Sequence, residues 1–287
     1  LIAKNIPKRN MNYVTTGGTS GKPLGFYIEK RTDFIRIAFE WREWNWMGYE
    51  FGDRCVVLRG NVIKRKEHNE PSWWEYDRRH NYLILSVYDM TEENLMKYIQ
   101  KIEEFKPKVI RAYPSALDIL ARFIKENNLS VNEKRNLKAI STSSENLYPI
   151  QRESIEQTFK CKVFDKYGNC EQTTILGECE KHEGYHDFTE YSYTEILDEE
   201  DEPVTVEGEI GQIVSTGFTN YAMPFIRYKT EDLVEYTSHN CTCGRQLPLI
   251  RRVKGRLQEL IITKRGNLIS MAALNMHSNV FNNVKQF

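Results

Sequence analysis

The chain balances 40 Lys and Arg against 40 Asp and Glu over 287 residues, without the basic excess of a nucleic-acid-binding protein. That length suits one large domain, or a large domain with part of another. No run of about 18 apolar residues is present to span a membrane.

In chain order, a hydroxyl- and glycine-rich stretch from Thr16 to Gly25 leads into residues 24–28, which read as a strand. Residues 32–47 read as a helix, with Phe34, Ile37, Ala38, Trp41 and Trp44 on one apolar stripe. Residues 54–58 form a compact apolar strand. Residues 60–81 are charged and rich in tryptophan, and read as a loop or excursion, of a length more often functional than idle. A regular alternation follows: strand 82–87, helix 92–105, strand 109–112, helix 115–127, strand 139–142, helix 150–159 and strand 162–166. Strands and helices joined by short connections predict a parallel sheet covered by helices. Beyond Cys170, residues 191–237 hold β-rich runs between turn signals, which predict a smaller, mostly antiparallel subdomain.

Thr16, Gly17, Gly18, Thr19, Ser20, Gly21 and Lys22 combine backbone donors, three hydroxyls and an ammonium, a composition suited to phosphate. An ordinary polar turn has the same look. It is not a Walker A loop, because Thr16 stands at its first glycine and Pro23 at the hydroxyl that would hold magnesium. A Walker loop also opens a helix, whereas a strand follows here. No Ser, His or Cys has the spacing of a nucleophile with its base, so hydrolase chemistry finds no support.

Three further segments are collinear with that loop: Tyr167-Gly168-Asn169-Cys170-Glu171, then Arg227 to Leu233, then Val253 to Glu259. Together the four resemble the adenylate-forming superfamily of acyl-CoA synthetases, luciferases and peptide-synthetase adenylation domains. Residues 71–76, 111–117 and 272–278 make the phenylacetate-CoA ligase branch the best match, especially its capsular-polysaccharide (CapK-like) members. The resemblance covers essentially the whole chain.

The resemblance implies an α/β fold: a large ATP-binding core over residues 1–172 and a β-rich subdomain over 173–255. A hinge and the start of a C-terminal domain would occupy 256–287. It implies ATP and Mg²⁺ as cofactors, with Thr16–Lys22 over the β- and γ-phosphates and Thr16, Lys22 and Glu171 as catalytic residues. Tyr167 and Gly168 would stack on and pass beneath adenine, Glu171 would hold Mg²⁺, and Asp232 would accept the ribose hydroxyls. Ser143 and Glu145 resemble the adenine-side loop, although a serine-rich cap for the helix near Tyr148 is an equal reading. Arg256 would reach ribose or the α-phosphate. Lys229 and Glu231 depart from the usual Arg and Gly of their motif.

Cys179, His186, Cys241 and Cys243 have the composition of a structural Cys3His zinc site, with His182 as a rival ligand and free thiols as the alternative. The implied partners are a carboxylic acid and a thiol or amine acceptor, and ATP use implies the cytoplasm. The rival expectation is a non-catalytic nucleotide-binding module in a polysaccharide-synthesis complex. The first and last residues read as those of an internal segment, whose catalytic lysine would follow the hinge. Such a segment is expected to bind ATP and adenylate poorly.

Overall fold

The computed structural model describes residues 2–16, 24–61, 63, 73–131 and 136–256, and by backbone alone 260–262 and 268–270; Arg256 is likewise described by backbone. The phosphate-loop residues Gly17 to Lys22 lie outside the described residues, as do residues 257–259 and 271–287.

In chain order the elements are β1 (Met11–Thr15), β2 (Gly25–Glu29), α1 (Lys30–Trp46), β3 (Cys55–Arg59), β4 (Trp74–Asp77), β5 (Tyr82–Ser86), α2 (Glu92–Phe105), β6 (Val109–Ala112), α3 (Pro114–Glu126), β7 (Ala139–Ser143), α4 (Pro149–Phe159), β8 (Lys162–Gly168) and β9 (Ile175–Glu178). After them come β10 (Tyr185–Asp187), β11 (Ser192–Leu197), β12 (Ile210–Gly217), β13 (Tyr228–Tyr236), β14 (Leu249–Arg256), β15 (Leu260–Ile262) and β16 (Leu268–Ser270). The chain divides into two compact units. One comprises Leu1–Arg36, Asn169–Ile175 and Gly184–Phe287; the other comprises Ile37–Gly168 and Leu176–Glu183.

The second unit is the α/β body, with strand order β9-β8-β7-β6-β3-β5-β4. Strands β5, β3, β6, β7 and β8 run parallel in succession. Alternate residues of each strand serve opposite faces. Val56, Leu58, Leu83, Leu85, Ile110, Ile140 and Val163 pack with α2, α3 and α4. Cys55, Val57, Val109, Ala139 and Phe164 pack with Trp44, Met47 and Tyr49, at and after the end of α1. Helices therefore cover both faces, as the alternation predicts.

Two expectations are corrected here. Residues 60–81 are not loop throughout: Trp74–Asp77 is an edge strand antiparallel to β5. Its alternation is short, and Trp73 and Trp74 pack against the helical core. The apolar stripe on α1 is only partly its buried face: Trp44 joins the core and Trp41 packs on it, but the first half of the stripe is exposed. Phe34 is 74% exposed and Ile37 38%, whereas Glu40 and Glu43 are buried beside Trp44 and Met47. Charged partners on the sheet, described below, override hydrophobic periodicity at this helix.

The other unit is built from antiparallel pairs. β1 and β2 form a hairpin from Met11↔Glu29 to Thr15↔Gly25. The order β11-β12-β13-β14-β10 makes its main sheet, and β15 pairs with β16 in a separate two-stranded sheet.

Candidate functional site

In the β-rich unit the glycine-rich segment is the connection of a hairpin. Beyond the last ladder pair, the Thr16 amide donates to the Leu24 carbonyl at 3.0 Å. The Leu24 amide donates to Thr16 Oγ1 at 2.9 Å. Thr16 thus closes the neck of the loop from both sides, and a strand rather than a helix follows it. The hydrogen-bonded neck is a fixed base for the connection between β1 and β2. Asn220, absent from the sequence reading, holds that base: its side chain accepts from the Glu29 amide at 3.1 Å and donates to the Tyr27 carbonyl at 2.9 Å. Nothing short of the fold marks an asparagine 191 residues away as a partner.

Glu171 belongs to the same unit and is buried. Its Oε1 accepts a 2.6 Å hydrogen bond from Tyr228 Oη. The Tyr228 ring meets Phe225 edge-on at 5.0 Å, and Phe225 meets Phe26 of β2 at 5.3 Å. An aromatic chain therefore runs from the hairpin to the carboxylate. Just before Glu171, Asn169 closes a turn by accepting from the Thr173 amide at 2.9 Å and donating to Thr173 Oγ1 at 2.7 Å. Tyr228 is the residue that sequence reasoning passed over; its place at the head of the Arg227–Leu233 segment was the available signal.

Asp232 is also buried. It sits at an irregularity in the ladder: Gln212 pairs with Leu233 and Val214 with Lys229, so four steps on β13 oppose two on β12. Such a bulge re-aims side chains. Thr230 Oγ1 fixes it by donating to the Ile213 carbonyl at 3.0 Å and accepting from the Asp232 amide at 3.2 Å. Glu231 lies within it at φ +62°, the left-handed region that glycine occupies without cost. The backbone thus keeps the glycine conformation although the residue is Glu. Glu231→Gly is expected to be more stable than Glu231→Ala by about 1–2 kcal/mol in thermal denaturation; equal stability would show that the conformation is relaxed. On β14, Arg256 is the register partner of Asp232. Lys229, the other departure from the motif, is ion-paired with Asp201 on the surface.

The α/β unit carries the remaining nucleotide candidates at the carboxyl ends of its parallel strands, where ligands of such sheets bind. Tyr167 is not just beyond a strand, as expected, but within β8, which continues to Gly168. Ser143 ends β7, and its Oγ accepts from Arg59 Nη2 at 2.5 Å; Ser144 Oγ accepts from the same nitrogen at 2.8 Å. The Arg59 guanidinium also lies 5.5 Å from the Tyr113 ring centre.

Glu145 accepts from both the amide and the hydroxyl of Ser115, each at 3.0 Å. Its carboxylate therefore sits at the first turn of α3, where the helix dipole favours negative charge. The serine-rich cap proposed for the next helix is not observed. Tyr148 precedes α4, and the Gln151 side chain accepts from its amide at 3.2 Å.

Within the β-rich unit, the ligand atoms of His186, Cys241 and Cys243 lie within 4.8 Å of one another. With zinc–sulfur bonds of about 2.3 Å, tetrahedral geometry separates sulfurs by about 3.8 Å. His186 Nε2 is 3.5 Å from Cys243 Sγ. Backbone amides of Lys181 and Arg245 donate to the sulfurs of Cys179 and Cys243, each at 3.4 Å, which favours the thiolate that binds metal. Gly244 at φ +81° lets the Cys241–Cys243 segment turn back, its amide donating to the Cys241 carbonyl. The donor set fits zinc. His182 instead places Nδ1 3.4 Å from Glu178 Oε2 and its ring against Phe164.

No family model matches the chain. Protein CapK of Staphylococcus aureus is 26% identical over 281 residues, covering 96% of this chain and 60% of that protein. Phenylacetate-coenzyme A ligase of Thermus thermophilus is 29% identical over 182 residues, covering 62% and 40%. The Pseudomonas putida ligase of the same name is 28% identical over 189 residues, covering 64% and 42%. The chain thus spans between two fifths and three fifths of these relatives.

Among solved structures, 2-hydroxyisobutyryl-CoA ligase in complex with 2-HIB-AMP gives a TM-score of 0.72 at 23% identity, over 95% of this chain and 58% of that one. ATP-bound MatB from Rhodopseudomonas palustris gives 0.59 at 12% identity, over 90% and 50%. At these identities the structural likeness is one of fold. The chain carries the adenylate-forming ligase fold and has its sequence relatives in the phenylacetate-CoA ligase and CapK branch.

Proposed function

We propose that the protein activates a carboxylic acid with Mg-ATP. The acid's oxygen attacks the α-phosphate, the bond to the β-phosphate breaks, and acyl-adenylate and pyrophosphate result. A thiol, coenzyme A by analogy with the relatives, then attacks the acyl carbon and AMP leaves. The observation that carries this reading is the buried Glu171 carboxylate, held by Tyr228 in the same unit as the hairpin that closes at Thr16.

In this reading the hairpin loop, with Lys22, holds the β- and γ-phosphates. Glu171 holds Mg²⁺, a hard cation that takes carboxylate and phosphate oxygens. Asp232 receives ribose, Tyr167 stacks on adenine, and Ser143 and Arg256 complete the nucleotide contacts. Glu145, already bonded to the start of α3, acts on the nucleotide only by shaping the Ser143–Glu145 turn. Catalysis is electrostatic: fixed donors meet charge developing on the phosphates, the Mg²⁺ that Glu171 would hold would add to that stabilisation, and water is kept from the reactive adenylate.

The cysteine–histidine cluster holds one zinc ion with a structural role, since four protein ligands leave no open position. The motif resemblance to capsular-polysaccharide (CapK-like) members supports a substrate drawn from surface-polysaccharide synthesis, and ATP use supports a cytoplasmic setting. The test is product identity: with Mg-ATP, coenzyme A and a competent acid, the intact protein yields AMP and pyrophosphate. ADP and phosphate as products contradict the reading.

A further inference from the structure

The polar side of α1 takes no part in the nucleotide contacts proposed above. Glu40 and Glu43, one turn apart and both buried, face the sheet of the α/β unit. Lys166 of β8 reaches Glu40 with Nζ 2.5 Å from Oε1, and that lysine is itself buried. Glu43 is wholly enclosed, and neither of its oxygens has a hydrogen-bond partner among the described residues. The charged groups facing it are Lys166 and Asp165 on β8, Glu40 on its own helix and Arg111 on β6. Asp165 also accepts from Thr142 Oγ1 at 2.5 Å, and the Arg111 guanidinium lies 3.9 Å from the Trp44 ring centre. Burial outweighs the neighbouring cations and lifts the Glu43 carboxyl to about 8.

The location of this group gives it consequence. The ladder between β7 and β8 ends at Ser143↔Lys166, so Tyr167 and Gly168 extend past their last partner on β7. Lys166 is the last residue of β8 held on that side, and its side chain is anchored to α1.

We propose that Glu40 and Glu43 are positioning residues, which act through Lys166 to fix the carboxyl end of β8 and with it the Tyr167 ring. The inference rests on the reading of Tyr167 as the adenine platform. With Glu43 neutral, α1 sets one anion, Glu40, against Lys166, with Asp165 and Arg111 nearby. With Glu43 ionised, two buried anions compete for that lysine, and the anchor loosens.

The sign of the pH effect follows from linkage. The unfolded chain releases the Glu43 proton near 4.5 and the folded protein near 8. The group therefore removes stability progressively as pH rises through that window, and above it the folded protein carries the extra charge. Glu43→Gln, isosteric with the neutral acid, is expected to raise the melting temperature at pH 8 and leave it unchanged at pH 4.

The deciding measurement is amide hydrogen exchange at residues 166–168, corrected for intrinsic pH dependence, beside ATP affinity at pH 7 and pH 9. Wild type is expected to lose protection about tenfold or more between the two pH values, and ATP affinity with it. Glu43→Gln is expected to keep both at pH 9. Glu40→Gln is expected to have weak protection at either pH. Equal pH dependence in wild type and Glu43→Gln overturns the proposal, and that arm decides even if Glu40→Gln fails to fold. The expected exchange pattern without any ATP binding by wild type overturns the adenine reading of Tyr167 while leaving the anchoring of β8 in place.

Discussion

Glu171→Gln is expected to lower carboxylate-dependent ATP–pyrophosphate exchange by about 10²–10³, the usual cost of removing one well-aimed electrostatic contact in such a site. The amide retains an oxygen that accepts from Tyr228 Oη, now 2.6 Å from the carboxylate. The fold and the melting temperature should therefore stay as in wild type. What disappears is the charge on the metal ligand. Tyr228→Phe makes the complementary change: charge stays and orientation is lost. Its expected cost is about tenfold, in line with a hydrogen bond to a charged acceptor. Wild-type exchange in Glu171→Gln would remove this residue from the magnesium role.

The second large effect concerns metal. Protein purified without added metal should carry about one zinc per chain, and Cys241→Ser should abolish it. Structural zinc contributes folding free energy directly, so its loss lowers the melting temperature by many degrees. Because the ligand atoms of His186, Cys241 and Cys243 lie within 4.8 Å of one another, removing zinc leaves thiols and an imidazole crowded together. Nucleotide affinity should fall much less than stability. Zinc-free protein with an unchanged melting temperature on chelation would show the cysteines to be ordinary thiols.

The alternation of the α/β body was legible because each signal is local. Helix Glu92–Phe105 and strand Val109–Ala112 fall where the periodicity puts them. The hairpin after Thr16 was legible from the strand that follows the loop. Contacts between distant segments were not legible. The buried face of α1 carries Glu40 and Glu43 because Lys166 and Arg111 meet them from strands far along the chain. Periodicity alone selects Phe34 and Ile37, which are exposed, along with Trp44, which is buried.

The candidate site divides the same way. Motif order singled out Glu171 and Asp232. It held Tyr228 within a motif but not its bond to Glu171, and it gave no sign of Asn220 under the hairpin or of the bulge that carries Asp232. Glu145 shows how one residue can match a motif and also serve a helix 30 positions earlier, which only the hydrogen bonds to Ser115 reveal.

The central claim is carboxylate activation, and its most direct test is exchange of labelled pyrophosphate into ATP by the intact protein. A panel of aryl, fatty, amino and uronic acids should be offered one at a time with Mg²⁺. Exchange that depends on one class of acid and vanishes when the acid or the metal is withheld is the predicted result. ATP binding without exchange under any acid would contradict the account and make the protein a nucleotide-binding module instead.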